Sequence, residues 1–158
     1  MLELTKPFIV AVNGLAYGDG CKMVMLANMA AASEEATFSN PEMLFGGFVP
    51  ITIALGLMLF DRKNAIEMIF TNKVLTAQEA LRIDLVKQVV SSDQLREVIT
   101  ALTKKVMTSP TVLRVVRKLL SKQLEAYIND LEAAIRDLII AGLEDFGGRV
   151  NVFLKREN

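Results

Sequence analysis

Apolar blocks in the first half of the chain are short and broken by glycine and proline. In the second half they recur at helical spacing. Phe8-Ile9-Val10-Ala11-Val12, bounded by Pro7 and Asn13-Gly14, predicts a short buried strand. Glycines follow at positions 14, 18 and 20, and the Ala- and Met-rich stretch from Cys21 to Ala32 predicts a helix. The junction thus reads as strand, tight turn and helix start. Thr37-Phe38-Ser39 predicts a second short strand, stopped by Asn40-Pro41. Gly46-Gly47 and Pro50 bracket a loop. Ile51 to Leu59 is apolar on all sides and fits either a strand or a helix; helix is the favoured reading, because a helix of this length can be buried all round. Asn64 to Phe70 predicts another helix.

Thr76-Ala77-Gln78-Glu79 is a capping box, in which the Thr76 hydroxyl accepts from the Glu79 N–H and the Glu79 carboxylate reaches back. Its helix is expected to end near Ile83-Asp84, and Leu85 to Val90 predicts a strand. Ser92 or Asp93 is the expected cap of a helix running to about Met107. Ser109-Pro110 starts another, with serine as N-cap and proline in the first turn. Val112, Val115, Val116, Leu119 and Leu120 form its apolar stripe, and Arg114, Arg117 and Lys118 lie on the other side. Asn129-Asp130 begins a last helix to Ala141, ended by Gly147-Gly148. The fold class is α/β: a strand–helix part over residues 1–90, then an all-helical region over 91–158.

Composition narrows the possibilities. The chain has 158 residues, enough for a real core, and 52% of them are hydrophobic. No apolar run approaches the roughly 18 residues of a membrane span. The longest, from Ile51 to Phe60, is interrupted by Thr52 and Gly56. Apolar surface in excess of a core then points to subunit contacts. Basic and acidic residues balance at 18 each, so nothing in the net charge favours nucleic acid. Cys21 is the only cysteine. It rules out an internal disulfide and suits the cytoplasm or another reducing compartment. Met1 to Pro7 lacks the basic and apolar regions of a signal peptide.

The chain has no histidine. That removes Ser-His-Asp and Cys-His catalysis and most zinc sites. Acid–base work is left to carboxylates, lysine, tyrosine or backbone groups, and no metal site is expected. Backbone N–H groups at the Gly18-Asp19-Gly20 turn could hold an oxyanion or a phosphate. Glu42, in Asn40-Pro41-Glu42, is the first reactive candidate near it. Lys22 reads either as a solvated first-turn residue or as a cation pairing with Glu42 or Asp19, or meeting a phosphate. Cys21 reads as a small buried apolar residue. Tyr17 reads as a packed ring or a hydrogen-bonding partner for a ligand. Arg114, Arg117 and Lys118 read as a solvated face.

Longer motifs carry a resemblance. Lys6-Pro7 before the first strand, then Asn13-Gly14-Leu15-Ala16-Tyr17-Gly18-Asp19-Gly20-Cys21, resembles the K-P-x-I-A-x-V-N-G-x-A-x-G-G-G segment of the enoyl-CoA hydratase/isomerase (crotonase) superfamily. Ala32-Ser33-Glu34-Glu35-Ala36-Thr37-Phe38-Ser39-Asn40-Pro41-Glu42 resembles its A-S-x-x-A-x-F-x-x-P-E. Ala65-Ile66-Glu67-Met68-Ile69, with Leu75 to Val86, resembles A-x-E-M-x-L-T-G and L-T-A-x-E-A-x-x-x-G-L-V. Val152-Phe153-Leu154-Lys155-Arg156 resembles the closing F-x-x-K-R. The similarity is to the C-terminal portion of the family. It implies that residues 1–90 are part of a ββα spiral core and 91–158 a helical assembly region. The family's longer N-terminal portion has no counterpart here, which implies a fragment or a natural truncation.

The resemblance also implies a chemistry. Such enzymes bind acyl-CoA thioesters, hold the thioester oxygen with two backbone N–H groups and move protons with glutamates. CoA is then part of the substrate, and no separate cofactor is implied. Glu42 takes the place of the family's second glutamate, and the Asp19 N–H that of one oxyanion donor. Tyr17, Gly18 and Gly20 fall on substrate-binding positions. A homo-oligomer, trimer or hexamer, is implied as well. Four departures matter. Asp19 replaces a glycine, Lys22 stands at the first glutamate, the loop from Gly46 to Ile53 lacks the later glycines of the family's G-x-x-P-G-x-G-G, and Asp84 replaces a glycine before Leu85-Val86. With Lys22 in place, single-carboxylate isomerase chemistry suits the residues better than two-glutamate hydration. A non-catalytic subunit is the competing expectation.

Overall fold

The computed structural model describes residues 4, 6–45, 47, 49–106, 109–122, 124–126 and 129. Strands β1 (Ile9–Val12), β3 (Met29–Ser33) and β6 (Gln88–Val90) form one sheet in the order β1-β3-β6, all parallel. Strands β2 (Leu15–Tyr17), β4 (Thr37–Ser39) and β5 (Leu75–Thr76) form a second, in the order β2-β4-β5. In it β2 and β4 run parallel and β5 antiparallel to β4. The chain steps from the first sheet to the second through Asn13-Gly14, and again between β3 and β4. Each step adds one strand to each sheet, so the two strand pairs stack as successive turns of a ββα spiral.

Helix α1 (Asp19–Leu26) connects the turns and packs on β2 and on α2 (Pro50–Leu59), which in turn packs on α3 (Arg62–Thr71). Helix α4 (Ala77–Arg82) follows β5, and α5 (Leu95–Lys105) packs against β1 and β3. Phe38, Met68 and Val86 are among the largest fully buried side chains. Burying a ring such as Phe38 contributes about 1.5–3 kcal/mol.

The strand at Phe8–Val12, the strand at Thr37–Ser39 and the helices near 51–59 and 64–70 fall where the sequence puts them. The helix expected over Cys21–Ala32 does not. It begins at Asp19 and stops at Leu26, and Met29-Ala30-Ala31-Ala32-Ser33 is the central strand β3. Alanine is a good helix former, but propensity yields to tertiary context. Ala30, Ala31 and Ala32 are buried between β1 and β6, where small side chains let layers on both faces approach. Asn28 makes the break. Its Oδ1 accepts from the Phe8 N–H at 2.9 Å, and its own N–H donates to the Phe8 carbonyl at 2.8 Å. The turn expected after Asn13-Gly14 is also corrected, since Leu15–Tyr17 is strand β2.

Two further boundaries move. The strand expected from Leu85 is confined to Gln88–Val90, because the Leu85 N–H returns to Ala80 at 2.9 Å and closes helix α4. The helix expected to be capped by Ser92 or Asp93 starts at Leu95 instead, with Gln94 in the cap position. Asp84 adopts a left-handed conformation (φ 65°), as its place at a helix end requires, and pairs with Lys87. The helix expected over 129–141, Gly147-Gly148 and the closing motif 152–156 lie outside the described residues, apart from Asn129.

The capping box at Thr76 is complete. Its hydroxyl accepts from the Glu79 N–H at 3.2 Å, and its N–H donates to Glu79 Oε2 at 2.9 Å. The hydrogen bonds from Thr76 hold the Glu79 carboxyl below its ordinary range, with Lys73 adding to the effect. Thr76→Ala is expected to destabilise the chain by about 1 kcal/mol. A urea melt that left the midpoint unchanged would show the box to be idle.

Candidate functional site

The site is built where the end of β2 turns into α1. Gly18 has φ 55° and ψ −119°, the first central position of a type II′ turn, which glycine alone adopts without strain. Its N–H donates to the Ser39 carbonyl at 2.9 Å, joining the turn to the end of β4. A Cβ at this position would stand 3.2 Å from Glu42 Oε1. Gly18 is therefore required twice, by its backbone and by the carboxylate beside it. Gly14 and Gly20 are not constrained in this way.

Asp19 opens α1, so its N–H belongs to the first turn, where no carbonyl of the helix can reach it. Its side chain is 94% exposed, and Oδ1 lies 2.9 Å from Lys22 Nζ. The Asp19 carboxylate is thus turned out to solvent and paired. The Lys22 hydrogen bond, then its charge, hold the Asp19 carboxyl below the usual range.

Glu42 sits in a short 3-10 helix, Pro41–Phe45. Its Oε1 is 2.7 Å from Lys22 Nζ, while Oε2 is buried with no hydrogen-bond partner among the described residues. Gly47 closes the other side. Its N–H donates to the Glu42 carbonyl at 2.8 Å, and a Cβ there would fall 2.9 Å from the same oxygen. Two glycines therefore leave the space that Glu42 fills. In the sequence Gly47 reads as part of a glycine-bearing loop after Glu42, with no sign that it stands against the Glu42 carbonyl.

Lys22 is not a solvated first-turn residue. Its side chain is 13% exposed and bridges Asp19 and Glu42. Burial alone would push its ammonium down, but hydrogen bonds and charge from Glu42 and Asp19 outweigh that and hold it above the ordinary lysine value. The sign is clear. The bridge stabilises the fold below the ordinary lysine range and is lost as pH rises through the raised value. Asp19 adds stability above the ordinary aspartate range that is lost in acid. At neutral pH Lys22 is a fixed cation, neither a base nor a nucleophile.

Beneath this lies a buried polar cluster that the sequence reading missed. Asn40 is fully buried. Its Oδ1 accepts from the Thr52 hydroxyl at 3.0 Å, and its Nδ2 donates to Cys21 Sγ at 3.8 Å. Cys21 is buried as expected, and desolvation pushes its thiol up to about 12, so it stays protonated at neutral pH.

Other candidates are placed differently. The Tyr17 ring is not packed. It is 38% exposed, and its hydroxyl accepts from Thr37 Oγ1 at 3.2 Å. Arg117 is not on a solvated face. It is buried and donates to Ser121 Oγ at 3.0 Å, whereas Val112, Val115, Val116, Leu119 and Leu120 are exposed. Periodicity defines a stripe on this helix, over residues 110–122, but not which side meets the rest of the chain.

The family model for enoyl-CoA hydratase/isomerase matches residues 1–138. The chain belongs to the enoyl-CoA hydratase/isomerase family. It is 41% identical over 101 residues to the mitochondrial enoyl-CoA hydratase domain-containing protein 3 of Rattus norvegicus, covering 63% of this chain and 33% of that protein. It is 35% identical over 115 residues to a short-chain-enoyl-CoA hydratase of Clostridium acetobutylicum, covering 69% of this chain and 42% of that one. Among solved structures, an enoyl-CoA hydratase of Mycobacterium paratuberculosis superposes with a TM-score of 0.79 at 26% identity, over 89% of this chain and 66% of that one. The chain thus spans a third to less than half of these two curated relatives, and the α/β architecture is the crotonase fold. Among the described residues no helix is long and apolar enough to cross a membrane.

Proposed function

We propose that this family member acts on acyl-CoA thioesters by single-carboxylate proton transfer, with Glu42 as acid and base. The observation that carries this is the 2.7 Å contact between Glu42 Oε1 and Lys22 Nζ. A cation stands where a second carboxylate would hold an attacking water, so one base remains. Glu42 would take a proton from the carbon beside the thioester carbonyl and return it one double bond away. The Asp19 N–H would hold the thioester oxygen as it gains charge. A preorganised donor of that kind contributes about 3–4 kcal/mol to the transition state. The outward turn of the Asp19 carboxylate keeps its charge off that oxygen. Tyr17, Gly18 and Gly20 would line the acyl group.

In this reading the chain corresponds to the C-terminal portion of the family. It works in a reducing compartment, cytoplasmic or mitochondrial as some relatives are named. The exposed stripe from Val112 to Leu120 supports self-association, for which the family resemblance implies a trimer or hexamer. One observation favours a second reading, a non-catalytic subunit: Lys22 engages Oε1, and Oε2 is enclosed. The test is incubation of the purified chain with a 3-enoyl-CoA and with crotonyl-CoA in deuterated buffer. The expected result is a double-bond shift in which the migrating proton is largely retained, so that little deuterium enters, and no hydration of crotonyl-CoA. Hydration at a comparable rate would overturn the single-base reading. Neither turnover nor thioester binding would establish the non-catalytic one.

A further inference from the structure

We propose that Asn40 is the positioning residue that sets Glu42 against Lys22, with Thr52 holding its amide in place. This rests on Glu42 being the working carboxylate. The α1 helix and the segment leading to Glu42 meet along a seam of three contacts. Gly18 N–H donates to the Ser39 carbonyl at 2.9 Å, Asn40 Nδ2 to Cys21 Sγ at 3.8 Å, and Lys22 Nζ meets Glu42 Oε1 at 2.7 Å. Asn40 is the middle contact, next to Lys22 through Cys21 and two residues before Glu42.

Its burial is complete, and an unpaired amide in such a place costs free energy. The partners come from different helices, Cys21 from α1 and Thr52 from α2. One side chain therefore ties three segments together. Sulfur is a weak acceptor, so the Thr52 hydroxyl at 3.0 Å is the directional restraint that stops the amide turning. An apolar residue would fill the same volume without fixing the rotation of the segment. Glu42 itself is shaped by space, between Gly18 and Gly47, with a single bonded carboxylate oxygen. Its aim depends on the register of this seam.

The experiment compares the wild-type chain with Thr52→Val, which keeps the volume and removes the hydroxyl, and Thr52→Ser, which keeps the hydroxyl. The readouts are the Lys22 side-chain titration, by NMR of 13C-labelled lysine, and thioester turnover. In Thr52→Val the Lys22 midpoint is expected to fall toward that of free lysine. Turnover is expected to drop about tenfold in kcat with KM within about twofold. Thr52→Ser is expected to restore both. A lower melting temperature with the Lys22 midpoint unmoved would overturn the proposal, as would a serine variant behaving like valine. If the wild-type chain turns over no thioester, the reading of Glu42 as an acid and base fails, and the Lys22 titration still decides whether Asn40 positions the pair.

Discussion

Glu42→Gln is expected to cut turnover of a 3-enoyl-CoA by about 10²–10⁴-fold, the usual contribution of a positioned general acid or base. The amide keeps the shape of the carboxylate, so the space between Gly18 and Gly47 stays filled. What changes is proton affinity, because an amide oxygen does not take up a proton at neutral pH. Lys22 also loses one of its two counter-charges, though Asp19 stays 2.9 Å away. The fold should persist, with circular dichroism and the urea midpoint close to wild type. Thioester binding should persist too, so the loss appears in kcat. Turnover that survives the change would exclude Glu42 from the chemistry.

Gly18→Ala is expected to cost about 1–3 kcal/mol of stability and most of the activity. Two effects add. An alanine is strained at φ 55° and ψ −119°, and its methyl would lie 3.2 Å from Glu42 Oε1. Relief requires the carboxylate to swing away from Lys22 or the turn to open and release Ser39. Gly14→Ala is the control. A Cβ there meets nothing within 4 Å, so the midpoint should move by no more than about 0.5 kcal/mol. Equal urea midpoints for the two variants would show that the Gly18 turn relaxes freely.

What the sequence revealed follows the range of the forces involved. The Thr76–Glu79 box was readable because every partner lies within four residues. Asp84 at a helix end was readable for the same reason, whereas Pro50, read as the edge of a loop, opens the helix Pro50–Leu59. The Ala-rich run at 29–33 was misread because its neighbours β1 and β6 are distant in sequence, and local propensity alone favours a helix. Glu42, Asp19 and Lys22 could be picked out one at a time from motif positions. The choice between a solvated and a paired Lys22 turned on the contact across residues 22 and 42, which only the fold decides. Asn40 and Thr52 gave no signal, since a buried amide and hydroxyl look like ordinary loop and helix residues until they meet. Arg117 was assigned to the wrong side because amphipathicity fixes a stripe and not its orientation.

The Asp19–Lys22 contact couples what happens at the two positions. The Asp19 and Lys22 side chains, three residues apart at the start of α1, bond to each other. Lys22→Glu made alone would put two carboxylates three residues apart at the start of α1, with Glu42 beside them from the 3-10 helix and no cation among the three; like charges so spaced on a helix repel. Removing Asp19 first leaves Lys22 still paired with Glu42. The effects of the two positions are therefore expected to be non-additive, with Lys22→Glu tolerated better once position 19 carries no carboxylate.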